Sequence, residues 1–185
     1  MTTLFIVGTP IGNLEDVTLR ALRVLKEADV ILCEDTRVTR RLLDRHAIVN
    51  KQLTTYNQQQ SGITEGKIVR WLEEGKNVAL VSDAGTPGIS DPGAQLVRQI
   101  RTHVKSSTSD VEGIGCVVIK IEVVPGPSAL TAALSVAGVP VHDFVFLGFL
   151  PHKKGRETLF KEIAASKRPV VFYESPHRIL KMLES

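Results

Sequence analysis

The stretch Val78–Gly93, VALVSDAGTPGISDPG, limits what this chain can fold into more than any other part of it. Val78 to Val81 is a short apolar run with β-branched residues, which reads as a buried strand. It runs into Ser82-Asp83-Ala84-Gly85-Thr86-Pro87-Gly88, where small residues let the backbone turn sharply and come close to a ligand. Asp91-Pro92 then supplies a helix N-cap with proline in the first turn, and the predicted helix runs through Leu96, Val97 and Ile100. Strand, glycine-rich loop and helix in that order place the loop at the carboxyl end of the strand. In open α/β sheets that edge is where ligands bind. A tight strand-to-helix turn with no ligand is the plainer alternative.

The same grammar recurs along the chain. Leu4 to Val7 predicts a strand, followed by the loop Gly8-Thr9-Pro10-Ile11-Gly12-Asn13. A helix from Asp16 or Thr18 carries Leu22, Leu25 and Ala28 at helical spacing. Val30 to Cys33 predicts a strand ending in Glu34-Asp35-Thr36-Arg37, and then a basic helix with Arg37, Arg40, Arg41 and Arg45 outward and Leu42 and Leu43 inward. Gln52 to Tyr56 is a weaker strand and Asn57 to Gly62 a polar loop. Ile63 to Glu74 returns to helix, with Ile68, Trp71 and Leu72 toward the core and Gly75 as C-cap. Strands alternating with helices predict an α/β fold with a mainly parallel sheet.

Arg101 to Gly115 is rich in Ser, Thr, Asp and Gly without a sustained period, and reads as a surface loop or insert. Cys116 to Val124 predicts the next strand, ending at Pro125-Gly126-Pro127-Ser128. A helix of small residues follows from Ala129 to Ala137, then a strand at Phe144 to Leu147 and the basic loop Pro151-His152-Lys153-Lys154-Gly155-Arg156. A helix from Glu157 to Ala165 leads to a last strand, Pro169 to Tyr173, and to a helix that stops at Ser185. Two α/β domains are expected, 1–125 and 126–185, with the second too small to close its sheet and therefore incomplete.

Composition narrows the function classes. No apolar run approaches the ~18–20 residues that span a bilayer, and the N-terminus lacks the basic start and long apolar region of a signal peptide. Cys33 and Cys116 form no CxxC and have no neighbouring histidine pattern, which predicts a reduced, cytoplasmic protein without a zinc site. The five histidines are scattered without metal spacing. A net charge of +3 permits nucleic acid as a partner without requiring it.

The loops themselves exclude the commonest nucleotide cradles. GxxxxGK[ST] is absent, and the spacing of Gly8 and Gly12 does not match GxGxxG. VGTPIGN, SDAGTPG and VPGPSA hold no Lys or Arg. A ligand bound there is expected to be neutral or mildly polar, without a polyphosphate, as a nucleoside-like cofactor held by backbone groups would be.

VGTPIGNLEDVTLRAL, CEDTRVTRRLL, VALVSDAGTPGISDPGAQLV, VPGPSAL, FLGFLP and VFYESPHRI resemble, in this order, the motifs of the tetrapyrrole methylase superfamily. The resemblance is to the branch that methylates small-subunit ribosomal RNA, and it touches nearly the whole chain. It implies two α/β domains with S-adenosyl-L-methionine in the cleft between them, usually in a homodimer. It implies methyl transfer to the 2′-hydroxyl of a cytidine. By similarity, Pro10, Ala84, Gly85, Thr86, Ile89, Ser128 and Ala129 fall where the family holds the cofactor, and Glu174 stands near that site in place of a different residue in relatives. Family members make a shorter connection where this chain has about Thr102 to Val118, and they continue past Ser185, so an insert and a truncated C-terminus are expected.

The acceptor side leaves more than one reading. A ribose hydroxyl is a weak nucleophile that must be aligned with the methyl group and lose a proton. Asp35 and Asp83, at strand ends, could orient or accept that proton, or could simply cap their loops. Arg37 could clamp a phosphate or form a surface pair. Arg40, Arg41, Lys153, Lys154, Arg156 and Arg178 could track an RNA backbone or form a solvated face. A small-molecule methyltransferase acting on a tetrapyrrole-like acceptor, and a non-catalytic binding fragment, are the alternatives in function.

Overall fold

The computed structural model describes residues 1–57, 61–107, 118–152 and 155–184. The chain divides into two compact units, Met1–Ser128 and Ala129–Ser185, so the division falls three residues beyond the expected 125/126 boundary.

The N-terminal unit is a parallel five-stranded sheet in the order β3-β2-β4-β1-β5. Its strands are β1 (Thr2–Val7), β2 (Val30–Cys33), β3 (Gln52–Thr55), β4 (Val78–Leu80) and β5 (Ile119–Val124). Between them lie α1 (Leu19–Glu27), α2 (Thr36–Arg45), α3 (Ser61–Glu73) and α4 (Gly93–Ser107). Side chains alternate across a strand, so Val30 and Leu32 join one core while Ile31 and Cys33 join the other. The first core takes Ile68, Trp71 and Leu72 from α3 and Leu96 and Ile100 from α4. The second takes Ala21, Val24 and Leu25 from α1 and Leu42 and Leu43 from α2. A sheet covered on both faces is the reason its strands read as continuous apolar runs. Leu72 is fully buried, a burial that stabilises by about 2 kcal/mol, and Leu72→Ala would cost about 2–5 kcal/mol once the cavity is counted.

Helix starts follow the chemistry of their caps. Thr18 Oγ1 accepts from the Ala21 amide at 3.0 Å and opens α1, and Asp35 Oδ1 accepts from the Arg37 amide at 2.8 Å and opens α2. Asp91 Oδ1 accepts from the amides of Gly88, at 2.7 Å, and Gly93, at 2.8 Å, closing the loop onto the start of α4.

One expectation fails here. Residues 102–107 are helix, not loop, because α4 continues to Ser107. Val104 extends the Leu96–Ile100 stripe by one more turn and packs against the first core, and Thr102 spends its hydroxyl on the Arg98 carbonyl at 3.0 Å. Ser and Thr at these positions disguised a helix whose buried face continues. The rest of the expected insert through residue 117, with Cys116, lies outside the described residues, and β5 begins at Ile119.

The C-terminal unit holds α5 (Ala129–Val136), β6 (Val145–Phe149), α6 (Arg156–Ala165), β7 (Val170–Tyr173) and α7 (Ile179–Leu183). β6 and β7 pair in parallel, with a register shift between Phe146 and Phe149 at Gly148, whose φ is +63°. Tyr173 meets the rings of Phe146 and Phe149 at centroid distances of 5.0 and 5.4 Å. Neither α5 nor α6 buries a side chain among the described residues.

Candidate functional site

Strand order decides which loops meet. Because β1 lies between β4 and β5, the loops after these three strands emerge side by side at one carboxyl edge. They are tied together by backbone. The Thr9 amide donates to the Gly85 carbonyl at 2.9 Å and the Gly85 amide returns a bond to Thr9 at 3.2 Å. The buried Thr9 hydroxyl lies 3.1 Å from the Ser82 carbonyl and 3.2 Å from that of Gly85. Thr86 Oγ1 reaches the Pro127 carbonyl at 3.4 Å, and the Gly8 amide donates to Val124 at 3.0 Å.

Gly8 and Gly126 face each other without room for a side chain. A Cβ on Gly8 would sit 2.7 Å from the Gly126 Cα, and one on Gly126 would sit 2.9 Å from three backbone atoms of Gly8. Gly85 has φ +84°, and a Cβ there would point between Ile11 and the Pro127 carbonyl, 3.5 and 3.6 Å away. The three loops thus form a fixed platform of backbone. Of the expected cofactor residues, Pro10 and Gly85 are buried in it, Thr86 and Ser128 are half-buried, and Ala84, Ile89 and Ala129 are exposed.

The neighbouring loop, after β2, brings carboxylates to the same edge. The Asp35 amide donates to Asp83 Oδ1 at 3.0 Å, tying the β2 loop to the β4 loop. Arg37 forks onto Asp35, with Nη2 at 2.6 Å from Oδ2 and Nε at 3.0 Å from Oδ1. The Arg37 side-chain bonds, reinforced by its backbone amide, hold the Asp35 carboxyl down at about 2. Glu34 moves the other way. Burial pushes its carboxyl up, the Asp83 and Asp91 charges add to this, and a hydrogen bond from the Asp83 amide opposes it. Sequence reasoning passed over Glu34 because burial, not residue type, sets it apart from Asp35.

The platform fits S-adenosyl-L-methionine. Its loops hold no Lys or Arg, and Glu34, Asp83 and Asp91 surround them with negative charge, suited to a cofactor that carries a sulfonium. Gly85 carries no side chain to cover its backbone at this edge. Among the described residues, no three His, Cys, Asp or Glu side chains gather as metal ligands, and no helix is long and apolar enough to cross a membrane.

The expected RNA-contacting residues are divided between the two units. Arg37, Arg40 and Arg41 are exposed on α2. Arg156 and Arg178 belong to the C-terminal unit, where both pair with Glu174. Glu174 turns its carboxylate inward onto these arginines. Lys153 and Lys154 lie outside the described residues.

Comparison with known proteins identifies relatives of this chain. A family described as Tetrapyrrole (Corrin/Porphyrin) Methylases matches residues 3–185. The ribosomal RNA small subunit methyltransferase I of Thermotoga maritima is 48% identical over 183 residues, which are 99% of this chain and 76% of that protein. The protein of the same name from Mesorhizobium japonicum is 44% identical, over 97% of this chain and 56% of its own length. The chain therefore spans between about half and three quarters of these relatives. Among solved structures, a diphthine synthase matches 96% of this chain and 65% of its own with a TM-score of 0.66 at 13% identity. Uroporphyrin-III-C-methyltransferase from Thermus thermophilus matches 80% of this chain and 60% of its own with a TM-score of 0.55 at 24% identity. At such identities the likeness is one of fold, a parallel α/β sheet of the methylase type. The family match and the 48% identity together show more: the chain belongs to the tetrapyrrole (corrin/porphyrin) methylase family.

Proposed function

We propose that this chain takes part in S-adenosyl-L-methionine-dependent methylation of small-subunit ribosomal RNA, with the 2′-hydroxyl of a cytidine as acceptor. The observation that carries the reading is the backbone platform of Gly8, Thr9, Gly85 and Gly126, free of cations and edged by carboxylates, in a chain 48% identical to a ribosomal RNA methyltransferase. Pro10, Ala84, Gly85, Thr86, Ile89, Ser128 and Ala129 are the residues that would hold the cofactor. When bound, the cofactor supplies an electrophilic methyl group on sulfur.

The chain's own residues have to align the hydroxyl and take its proton. A carboxylate at this edge would take the hydroxyl proton as the acceptor oxygen is methylated. A base works better as its pKa approaches the working pH. That favours Glu34, with Asp83 beside it, over Asp35, whose proton affinity Arg37 has lowered. Asp35 then serves to hold Arg37 outward, where Arg37, Arg40 and Arg41 would meet phosphates. A homodimer in the cytoplasm fits the family and the reduced thiols expected from the sequence.

The test is transfer of labelled methyl from S-adenosyl-L-methionine to small-subunit particles, followed by nuclease mapping of the labelled nucleotide and atom. Label on a cytidine 2′-oxygen is expected. Label on a base, or on a tetrapyrrole acceptor and not on RNA, would refute the reading.

A further inference from the structure

Helices α3 and α4 both start at the carboxyl edge of the five-stranded sheet and cover the same core, and a cavity of about 660 Å³ lies between them. Glu65, Gly66 and Val69 of α3 form one wall. Gln95, Arg98 and Gln99 of α4, which share a helix face by their spacing, form the other. Glu65 is 3% exposed. Its Oε1 accepts from the Tyr56 hydroxyl at 3.2 Å, and among the described residues this carboxylate has no other hydrogen-bond partner. Burial, with the Glu65 charge adding to it, pushes the Tyr56 phenol up, so the hydroxyl keeps its proton and donates it. Toward the C-terminal ends of the helices, His103 Nε2 lies 2.9 Å from Glu73 Oε1 and ties α4 to α3.

A buried carboxylate is costly unless it is paired or fully hydrogen-bonded, and Glu65 has one donor for two oxygens. The side chains of Gln95, Arg98 and Gln99 are exposed and have no hydrogen-bond or ion-pair partner among the described residues. A Cβ on Gly66 would meet nothing within 4 Å, so that wall is open. Glu65 accepts hydrogen bonds and repels phosphate, each glutamine amide both donates and accepts, and Val69 offers apolar contact. An unpaired nucleobase presents the matching set, donors and acceptors along one edge and apolar faces. Because Tyr56 occupies Oε1, the other oxygen is left for one strong donor. An exocyclic amino group beside a ring-nitrogen acceptor, as in cytosine, suits that oxygen with a glutamine amide next to it. The imino group of uracil lies between two carbonyls, which the carboxylate repels.

We propose that the cavity between α3 and α4 seats an unpaired, amino-bearing base of the bound RNA, cytosine in preference to uracil, with its amino group on Glu65. The proposal rests on the RNA reading above and adds a point of sequence selection to it. Phosphate contacts position a strand, whereas base edges specify it. Arg98, exposed at the rim, meets the phosphate beside the seated base, while the buried carboxylate takes the base itself. Because β2 lies between β3 and β4, the starts of α3 and α4 flank the loop that carries Glu34 and Asp35. The cavity therefore opens beside the proposed acceptor edge.

The experiment titrates the full chain with pentacytidylate and pentauridylate at one salt concentration, probes of equal charge that differ in the base. Wild type is expected to bind the cytidylate roughly tenfold tighter, as one hydrogen bond to a charged group allows. In Glu65→Gln the amide oxygen stays on Tyr56 and the NH2 group turns into the cavity, so the preference is expected to vanish or reverse. Loss of negative charge alone would instead tighten both oligonucleotides alike and keep the preference, which would overturn the role of Glu65. Gly66→Leu alters no charge, favours the helix and fills the cavity, so it too is expected to remove the preference, with a circular-dichroism melt confirming folded protein. Should Glu65→Gln fail to fold, Gly66→Leu decides. Equal affinity of wild type for the two probes, binding of neither, or a preference that survives Gly66→Leu would overturn the seat. Wild type that methylates ribosomal RNA without any preference would sink the seat and leave the proposed function standing. A preference abolished by both variants, in a chain that transfers no methyl to RNA, would keep the seat and remove that function.

Discussion

The facing glycines of the loop platform give a prediction whose size follows from geometry. Gly8→Ala places a methyl carbon 2.7 Å from the Gly126 Cα and 2.8 Å from its nitrogen, with Thr86 Oγ1 at 3.3 Å. Unbonded carbons settle at ~3.5–4.0 Å, so the two loops must part by roughly 0.8 Å or more. Backbone cannot rotate aside as a side chain can, so the strain falls on the β1 and β5 loops and on the bonds that tie them. Overpacking of this kind costs about 1–3 kcal/mol, a fall in melting temperature of roughly 3–15 °C for a unit of this size. Because the strain opens the platform itself, affinity for S-adenosyl-L-methionine should drop at least tenfold, about 1.4 kcal/mol. Gly126→Ala should behave alike, and the double variant should cost less than the sum, since both push apart the same pair. Calorimetric titration and thermal melting read both quantities. Melting within about 1 °C of wild type with unchanged affinity would refute the close approach. Lost stability with unchanged affinity would leave the platform structural and remove it from the cofactor site.

Other expectations follow from the same coordinates. Gly66 lies within α3 with nothing near its missing Cβ, so Gly66→Ala should raise stability by about 0.5–1 kcal/mol, read as a shifted denaturant midpoint. Asp35, held at about 2 in the folded chain, stabilises above its unfolded value of about 3.9 and loses that contribution as pH falls toward 2. Arg37→Gln should move its carboxyl-carbon NMR titration upward, and an unmoved titration would contradict the fork. Cys33 is fully buried, and burial raises its thiol pKa, so a thiol reagent should leave it unlabelled in the native protein and modify it after unfolding, as peptide mass mapping would show.

The sequence disclosed the strands and the loops that follow them, for a physical reason. A strand covered on both faces must be apolar throughout, and the turn after it must use Gly, Pro and Asx, so both signals are local. Strand order is not local. Nothing in the residues between Val7 and Val78 says that β1 will lie beside β4 and not β2, although that neighbourhood brings Gly8, Gly85 and Gly126 together. The length of α4 was hidden by composition, since Ser and Thr at 102–107 outweighed the legible spacing of Leu96, Ile100 and Val104. Glu174 and Arg178 stand four apart, the spacing of a helical ion pair, yet Glu174 precedes α7 and its burial comes from the fold around it.

Under the proposed function, the carboxylates of the N-terminal unit and the arginines of the C-terminal unit would answer different chemical demands. A cofactor bearing a sulfonium is favoured near uncompensated carboxylates and disfavoured near arginine, whereas a polynucleotide requires the reverse. Asp83 and Asp91 oppose ionisation of Glu34, while Arg37 is bound to Asp35. At the edge of the other sheet, Arg156 and Arg178 outnumber Glu174. Moving a positive charge to the first edge therefore separates the two demands. Ala84 is exposed on the β4 loop, and Ala84→Lys should weaken S-adenosyl-L-methionine binding, because an added like charge opposes a sulfonium at short range, while it should leave attraction to a polyanion undiminished. Titration of each ligand alone at fixed salt measures this. Equal losses for both ligands, or a gain in cofactor affinity, would show that charge does not distinguish the two ligands.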